Sequence, residues 1–414
     1  MYEDALVKLL RDYITFLARA FVLSFSGSTK FYLWMAVLTV LSVIGGNAYS
    51  RQLVEGLAVT GMTDQVSWGA YIANFTYLVG VAAAAVMLVI PAYIYRNKDM
   101  HDVVLFGELL AIAAIVMALL FVIVDLGRPD RFWHLIPIVG KFNFPGSMLS
   151  WDVIVLNGYL LLNLHICGYL LFMKYMNRKP TILFYMPFVL VAIAWAVSIH
   201  TVTAFLYVGL VGRPFWNSAI VAPRFLGSAF TAGPGILILV FQVIRRMSKY
   251  QISDRALHIL RNIVTVSLLV NLFLLGCEAF KEFYSESVHS SSAKYLFFGL
   301  HGHDALVPWM WGAMAMELVA AIILIVPPLA QRIMPLNIAC VLSIVGIWIE
   351  KGMGLIVPGF VPTPLGNIVE YVPSLNEALV CVGIWSFGLL IFSWMLHIAI
   401  PIMSGEFRHQ PKEV

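Results

Sequence analysis

The residues of this chain best equipped for chemistry are ionisable groups set in apolar sequence. Asp125, Arg128, Asp130 and Arg131 crowd into one stretch, Asp125 to Trp133, directly after one apolar run and shortly before another. Charge so close to hydrocarbon is expensive and persists when it is paired or used. Asp152 stands at the head of the next run, and Tyr159 and Asn163 follow it at helical spacings on one face. His200 shares a stripe with Thr203 and Tyr207 in the run after that, and Arg224 lies a short way into the sixth. An imidazole can donate, accept and titrate near neutral pH, and a carboxylate beside it can hold its tautomer or relay its proton. Each residue also has a plainer reading. Asp152 could cap the helix that follows Ser150, Arg224 could snorkel or bind carbonyls, and His200 could satisfy an interhelical bond. Three runs bringing Asp, His and Arg to one level is the pattern of an ion, proton or substrate path.

A thinner set lies deeper: Glu108, His165, Glu317, the adjacent pair Glu350 and Lys351, and His397, with Glu278 near the end of a seventh run. Neighbours on a regular helix project apart, so Glu350 and Lys351 are each expected to need another partner. Glu108, His165 and Glu317 are the candidates for a proton path, against the alternative of scattered polar groups joining helices. Cys167, Cys277, Cys340 and Cys381 stand singly in apolar sequence with no CxxC pair, which predicts packing thiols rather than an iron–sulfur or zinc site. A membrane haem needs two axial histidines at matched depth, and His165, His200 and His397 offer no such pair. No metal site and no haem are expected.

The elements that must position these groups follow from composition. The chain is 61% hydrophobic and 12% charged, against about 25% charged in a soluble domain, so it is read as a polytopic membrane protein. Runs near 31–48, 69–95, 103–124, 151–175, 182–209, 217–243, 258–280, 305–330, 334–356 and 376–402 approach the roughly 20 apolar residues of a spanning helix. The fold class expected is all-α with about ten transmembrane helices, as one membrane-embedded unit over 1–414. Residues 1–30 mix Leu6, Leu9, Leu10, Tyr13, Ile14, Leu17 and Phe21 with Lys8, Arg11, Asp12 and Arg19, which predicts an amphipathic surface helix rather than a cleavable signal. An even span count puts both termini on one side. That side collects 16 of the 26 Lys and Arg, the opposite loops hold 7, and Arg224, Arg261 and Lys351 fall inside spans. The bias places both termini in the cytoplasm and the Asp125–Trp133 knot outside. The outward loops, near 49–68, 125–150, 281–304 and 357–375, are also the longer ones, as a docking platform for another protein would require.

Three blocks carry a resemblance: VDLGRPDRFWHL from Val124, SMLSWDVIVLNGYLLLNL from Ser147, and SIHTVTAFLYVGLVGRPFWNSAIVAPRFLGSAF from Ser198. They resemble the NrfD/polysulfide-reductase membrane-subunit family. The approach VTGMTDQVSWGAYIANFTYLVGVAAAAVM from Val59 is similar to the DsrP-type branch, found in DsrMKJOP redox complexes of sulfite reduction. The resemblance implies two four-helix bundles with flanking helices, here 69–209 and 217–356. It implies a haem-free subunit of the cytoplasmic membrane that binds menaquinone near the outer face. Its electrons would pass to an extracytoplasmic ferredoxin-like, DsrO-like iron–sulfur subunit. A haem b membrane subunit, a c-type cytochrome and a cytoplasmic iron–sulfur subunit are the further partners implied, alongside membrane lipids and without nucleic acid.

A quinone head has two carbonyl oxygens on an apolar ring, so its site needs an apolar slot with a donor or acid/base near each oxygen. His200 and Asp152 suit the acid/base role. Tyr71, Asn74, Trp151, Tyr159, Tyr207 and Trp216 are candidate lining residues, and Asp125, Arg128 and Arg224 either contact the quinone or brace the knot. The rival reading is a secondary transporter in which Asp152, His200 and Glu317 bind a solute or ion, for which Thr231-Ala-Gly-Pro-Gly235 would be the interrupted helix. A structural anchor with a vestigial pocket is the third.

Overall fold

The computed structural model describes residues 2–284 and 288–409, with the backbone alone at 2–6, 8 and 288. Met1, the side chains of Leu6 and Lys8, and Lys412 from the basic count lie outside the described residues. Every major element is helical, and no strand forms among the described residues. Among the described residues, ten helices are long and apolar enough to cross a membrane. They are α2 (Thr29–Glu55), α3 (Ala70–Ile94), α4 (Val104–Asp125), α5 (Met148–Tyr175), α6 (Ile182–Val208), α7 (Val221–Met247), α8 (Asp254–Tyr284), α10 (Val307–Ile325), α11 (Ile333–Phe360) and α12 (Leu375–Ser404). Beside them stand the N-terminal α1 (Tyr2–Ser24), the short α9 (Ser291–Phe298) and several single-turn helical segments in the loops. The chain is a multi-pass membrane protein, with the predicted spans matched in number and in place to within several residues.

The helices close into two rings. In the first, α3 packs on α4, α4 on α5, α5 on α6 and α6 back on α3. In the second, α7 packs on α8, α8 on α10, α10 on α11 and α11 back on α7. The rings meet where α7 lies against α3 and α6, and α11 against α3. Of all ten spans, α3, α4 and α7 are the most enclosed, and their surfaces are buried nearly all round. Flanking the first ring, α2 and α12 pair closely, because a Cβ at Gly45 would collide with the Gly383 Cα. Without a water-driven hydrophobic force between helices in lipid, such backbone approach through small residues is what holds them together.

The amphipathic α1 turns Phe16 and Ala20 inward, with the Phe16 ring against Phe172 and Tyr175 of α5. Leu10, Ile14, Leu17, Phe21 and Val22 remain exposed, the apolar face expected of a helix lying on a bilayer. The start of α2 and the end of α12 lie together at one end of the molecule, the terminal end, where His397 meets the Ser26 carbonyl and the His409 amide donates to the Tyr175 carbonyl at the end of α5.

Two helices depart from regular geometry. The last turn of α3, Ile90–Ile94, and the segment Ile349–Met353 of α11 are π-helical. A π-turn inserts an extra residue and rotates everything after it relative to the regular stripe. The second of these shapes the site.

Candidate functional site

His200 and Asp152 are buried on adjacent helices of the first ring, in a cage of polar side chains beside the second. Asp152, from the first turn of α5, accepts a 2.8 Å hydrogen bond from the Thr203 hydroxyl, one turn beyond His200 on α6. One turn further, the Tyr207 hydroxyl meets Thr76 of α3 at 2.5 Å. Thr76 already donates to the Ile72 carbonyl, so Tyr207 is the donor of that pair. The stripe His200, Thr203, Tyr207 therefore faces inward, with Asp152 and Thr76 reaching it from separate helices. Neither ring nitrogen of His200 nor the hydroxyl of Tyr77 has a hydrogen-bond partner among the described residues. They line a void of about 10 Å³ together with Gly80, Ser228 and Lys351. That is room for about one water, which buried groups left without partners commonly hold.

Arg224 does not join this cage directly. It binds two carboxylates, Glu278 of α8 and Glu350 of α11, as a buried ion-pair triad. The Asn271 amide donates to Glu350 at 3.0 Å and to Glu317 of α10 at 3.1 Å, and Lys351 Nζ stands 3.7 Å from Glu350. All four helices of the second ring contribute. Glu278, Glu317 and Glu350 against Arg224 and Lys351 leave three carboxyls facing two cations, so one shared proton makes the cluster neutral. Buried Glu282 is matched separately by Lys281 at 2.9 Å.

One expectation is corrected here. A regular helix keeps Glu350 and Lys351 from facing each other, yet both are buried and in contact. They sit within the π-turn Ile349–Met353, whose wider spacing turns two successive side chains inward where a regular helix would aim one outward. Lys351 thereby faces the His200 void and also stands over the Phe225 ring, 5.6 Å from its centroid.

The other side of the same turn opens to the surface. Trp348, Ile349 and Met353 form a wall of a groove of about 240 Å³, closed by Ala70, Trp309 and Tyr371. The groove is apolar, with polar groups set behind it. Asn74 Oδ1 accepts from Trp348 Nε1 at 3.0 Å and from Trp385 Nε1 at 2.8 Å. The Tyr371 hydroxyl bonds Glu377 and accepts from the Ala70 amide at 2.7 Å. Burial, reinforced by the Glu377 carboxylate, pushes the Tyr371 phenol well up from its ordinary value. Glu377 also accepts from the Gly61 amide at 3.0 Å. Tyr71 donates to Gln52 at 2.7 Å in the same layer, where half-buried Asp125 has one inaccessible oxygen without a partner.

The remaining candidates are placed apart. Arg128 is exposed and pairs with Asp130 at 2.9 Å, which holds that carboxyl below its usual range. Trp151 is half-exposed and donates to the Pro145 carbonyl at 2.9 Å. Trp216 is fully buried, donates to the Leu355 carbonyl at 2.8 Å and packs on Tyr207, Trp68 and Phe360. Tyr159 is buried within the first ring, and the Asn163 amide donates to its carbonyl. Glu108 is buried with one oxygen unpartnered and the other 3.5 Å from Cys167 Sγ. His165 faces outward and meets the Phe184 carbonyl at 3.0 Å. No contact links Glu108, His165 and Glu317 to one another among the described residues.

The interrupted helix is also corrected. Through Thr231–Gly235, α7 continues without a break from Val221 to Met247, with Pro234 accommodated inside it. The small residues there serve close packing, since a Cβ at Gly233 would collide with Ala84 Cβ on α3. Sequence reasoning does not assemble Glu278, Glu350, Lys351 and Asn271 into one group. Their signal is present, as four polar groups in two spans, but their mutual choice of partner is tertiary.

The fold and site define a membrane protein built from paired four-helix rings with charge enclosed between them. The family model described as polysulphide reductase, NrfD, matches residues 58–362, and the chain belongs to that family. It is similar to the putative membrane subunit of a dimethyl sulfoxide reductase of Halobacterium salinarum, 26% identical over 86% of this chain and 88% of the relative. A selenate reductase subunit of Mesobacillus selenatarsenatis is 23% identical over 90% and 95%. The Hdr-like menaquinol oxidoreductase integral membrane subunit of Archaeoglobus fulgidus is 24% identical over 88% and 92%.

Proposed function

We propose that this chain is the quinone-exchanging membrane subunit of a multi-subunit oxidoreductase, without haem or iron–sulfur centres of its own. The observation that carries the reading is the family match across both rings, with relatives named as membrane subunits of reductases and of a menaquinol oxidoreductase. The groove between Trp309, Trp348 and Tyr371 fits an apolar ring. Its 240 Å³ is somewhat below the roughly 300 Å³ at which ligand pockets usually begin, enough for a head group whose tail stays in the bilayer. The cage around His200 holds about one water and does not fit such a ring. His200 and Asp152 therefore act in this reading on protons, while Asn74 positions Trp348 behind the groove.

When bound, menaquinone supplies two-electron, two-proton redox chemistry. The chain's own contribution is an apolar slot, two buried acid/base groups that share no hydrogen bond with each other, and a π-turn that separates the slot from both. The electrons pass to an extracytoplasmic ferredoxin-like iron–sulfur partner. Support for a docked partner comes from the loops at the end opposite the termini, where Ile138, Val139, Val211 and Leu365 are strongly exposed. Within this class, the DsrP-like approach segment leads us to place the complex in sulfite or sulfate respiration in the cytoplasmic membrane, with DsrMKJOP-like partners.

The buried cluster of five ionisable groups favours a second reading, a subunit that moves protons or solute through the second ring. Two measurements separate them. A menaquinone analogue should quench tryptophan fluorescence of the purified chain saturably, and the Trp309→Phe, Trp348→Phe variant should lose most of that quenching. In the assembled complex, Asp152→Asn and His200→Ala should each lower quinol-linked electron transfer by about 10²-fold or more, the usual scale of acid/base assistance. Saturable solute uptake by the chain alone in liposomes, with no quenching, would overturn the quinone reading.

A further inference from the structure

A pocket of about 440 Å³ opens at the terminal end of the first ring, between the π-helical last turn of α3 and the start of α6. Its polar rim carries Arg96, Lys98, His101 and Asp102, and its floor holds Tyr93 and Tyr185. None of the three basic side chains has an ion-pair partner among the described residues. The nearby Asp99 is taken instead by Arg255 at 3.7 Å. Tyr93 lines the pocket, is 5% exposed, and has a buried hydroxyl without a partner. Its ring lies edge-on to His101 at 5.9 Å and near Tyr185 at 6.0 Å. The pocket thus has a net basic rim over an aromatic floor. Arg96 and Lys98 against Asp102 leave one net positive charge.

The pocket's outer lip is apolar. Ile182 forms part of its wall, and Ile94, Tyr95 and Leu183 beside it are all exposed on the lipid-facing surface. A basic mouth on a pocket whose lip runs onto exposed aliphatic side chains suits a singly charged phosphate that carries acyl chains. We infer that this pocket binds the head group of an anionic phospholipid, with Arg96 and Lys98 on the phosphate and the acyl chains along Ile94, Tyr95 and Leu183. Basic pockets between membrane helices bind anionic lipid head groups in this way. The π-turn at Ile90–Ile94 and the left-handed backbone of Arg96, φ 51°, bring the basic residues round to the mouth.

The test uses the full chain, purified in mild detergent and stripped of lipid. Phosphatidylglycerol, phosphatidylcholine and inorganic phosphate are titrated separately, with thermal unfolding as one readout and retained lipid by native mass spectrometry as the other. Phosphatidylglycerol should be retained and raise Tm where phosphatidylcholine does not. Each basic residue near a membrane surface is worth about fivefold in binding, so Arg96→Asn with Lys98→Gln should weaken phosphatidylglycerol by roughly 20-fold. Both side chains are exposed, and Asn tolerates the left-handed backbone, so the lipid-free Tm of that variant should match the parent. Equal effects of the two lipids, or undiminished phosphatidylglycerol binding by the double variant, would sink the inference. Protection by inorganic phosphate equal to that by phosphatidylglycerol would assign the pocket to a soluble anion instead.

Discussion

Arg224 is the residue on which the second ring turns. Its guanidinium holds Glu278 and Glu350, while Asn271 links Glu350 to Glu317, so three helices depend on one planar cation. Arg suits this because its fork engages two carboxylates at fixed geometry, where a lysine would offer a point charge. Removing one partner of a buried pair strands the others, at a cost of about 3–5 kcal/mol. Arg224→Ala should therefore lower the unfolding free energy by about that amount, and Arg224→Lys should recover only part of it. Glu317→Gln should cost far less, since an amide can still engage Asn271 and removes one of three carboxylates facing two cations. Thermal unfolding of the purified variants reads both effects. An Arg224→Ala protein as stable as its parent would mean the charges are hydrated rather than paired.

At the scale of elements, regular helices are legible in the sequence and irregular ones are not. Span lengths follow from hydrocarbon thickness, and all ten predicted runs form helices. The inward stripe His200, Thr203, Tyr207 is readable because α6 keeps its 3.6-residue period there. Glu350 and Lys351 defeat the same reasoning because that period fails across Ile349–Met353, and nothing in the residue types there announces a π-turn. Thr231–Gly235 misleads for the opposite reason, since Gly and Pro that suggest a break in isolation are close-packing residues against α3. Connections can be tested through their own chemistry. Between α7 and α8, Tyr250 donates to the Asp102 carbonyl at 2.7 Å and packs edge-on to Phe106 at 5.3 Å, tying the turn to the start of α4. Burial, helped by the Asp102 carboxylate, pushes its phenol up to about 12. The folded value exceeds the unfolded one of about 10, so the stability linked to this proton is intact below about pH 10 and declines as pH rises toward 12. Tyr250→Phe should remove that decline, and the gap in Tm between parent and variant should shrink above about pH 10. A gap constant with pH would show that another group titrates.

For the whole molecule, the asymmetry of its two ends is the property with the widest consequence. The end bearing the termini carries most of the basic residues, including the exposed pocket rim at Arg96 and Lys98. The opposite end carries long loops with exposed apolar side chains, the half-buried Asp125 and the mouth of the groove. If positive charge is retained in the cytoplasm, the groove and the docking loops face outward, and electrons leave on the side away from the termini. That orientation is testable without knowing any partner. Ile138 is fully exposed in the 126–147 loop, and Lys249 is exposed at the terminal end between α7 and α8. The four native cysteines are all free, so replacing them with serine or alanine leaves a background for single cysteines at either position. In intact cells expressing the chain alone, a membrane-impermeant maleimide should modify Ile138→Cys, and should reach Lys249→Cys only after permeabilisation. The reverse pattern would turn the molecule over, moving the groove to the cytoplasmic face. An extracytoplasmic iron–sulfur partner would then have no surface here to meet, and the electron route proposed for this chain would have to run to a cytoplasmic one.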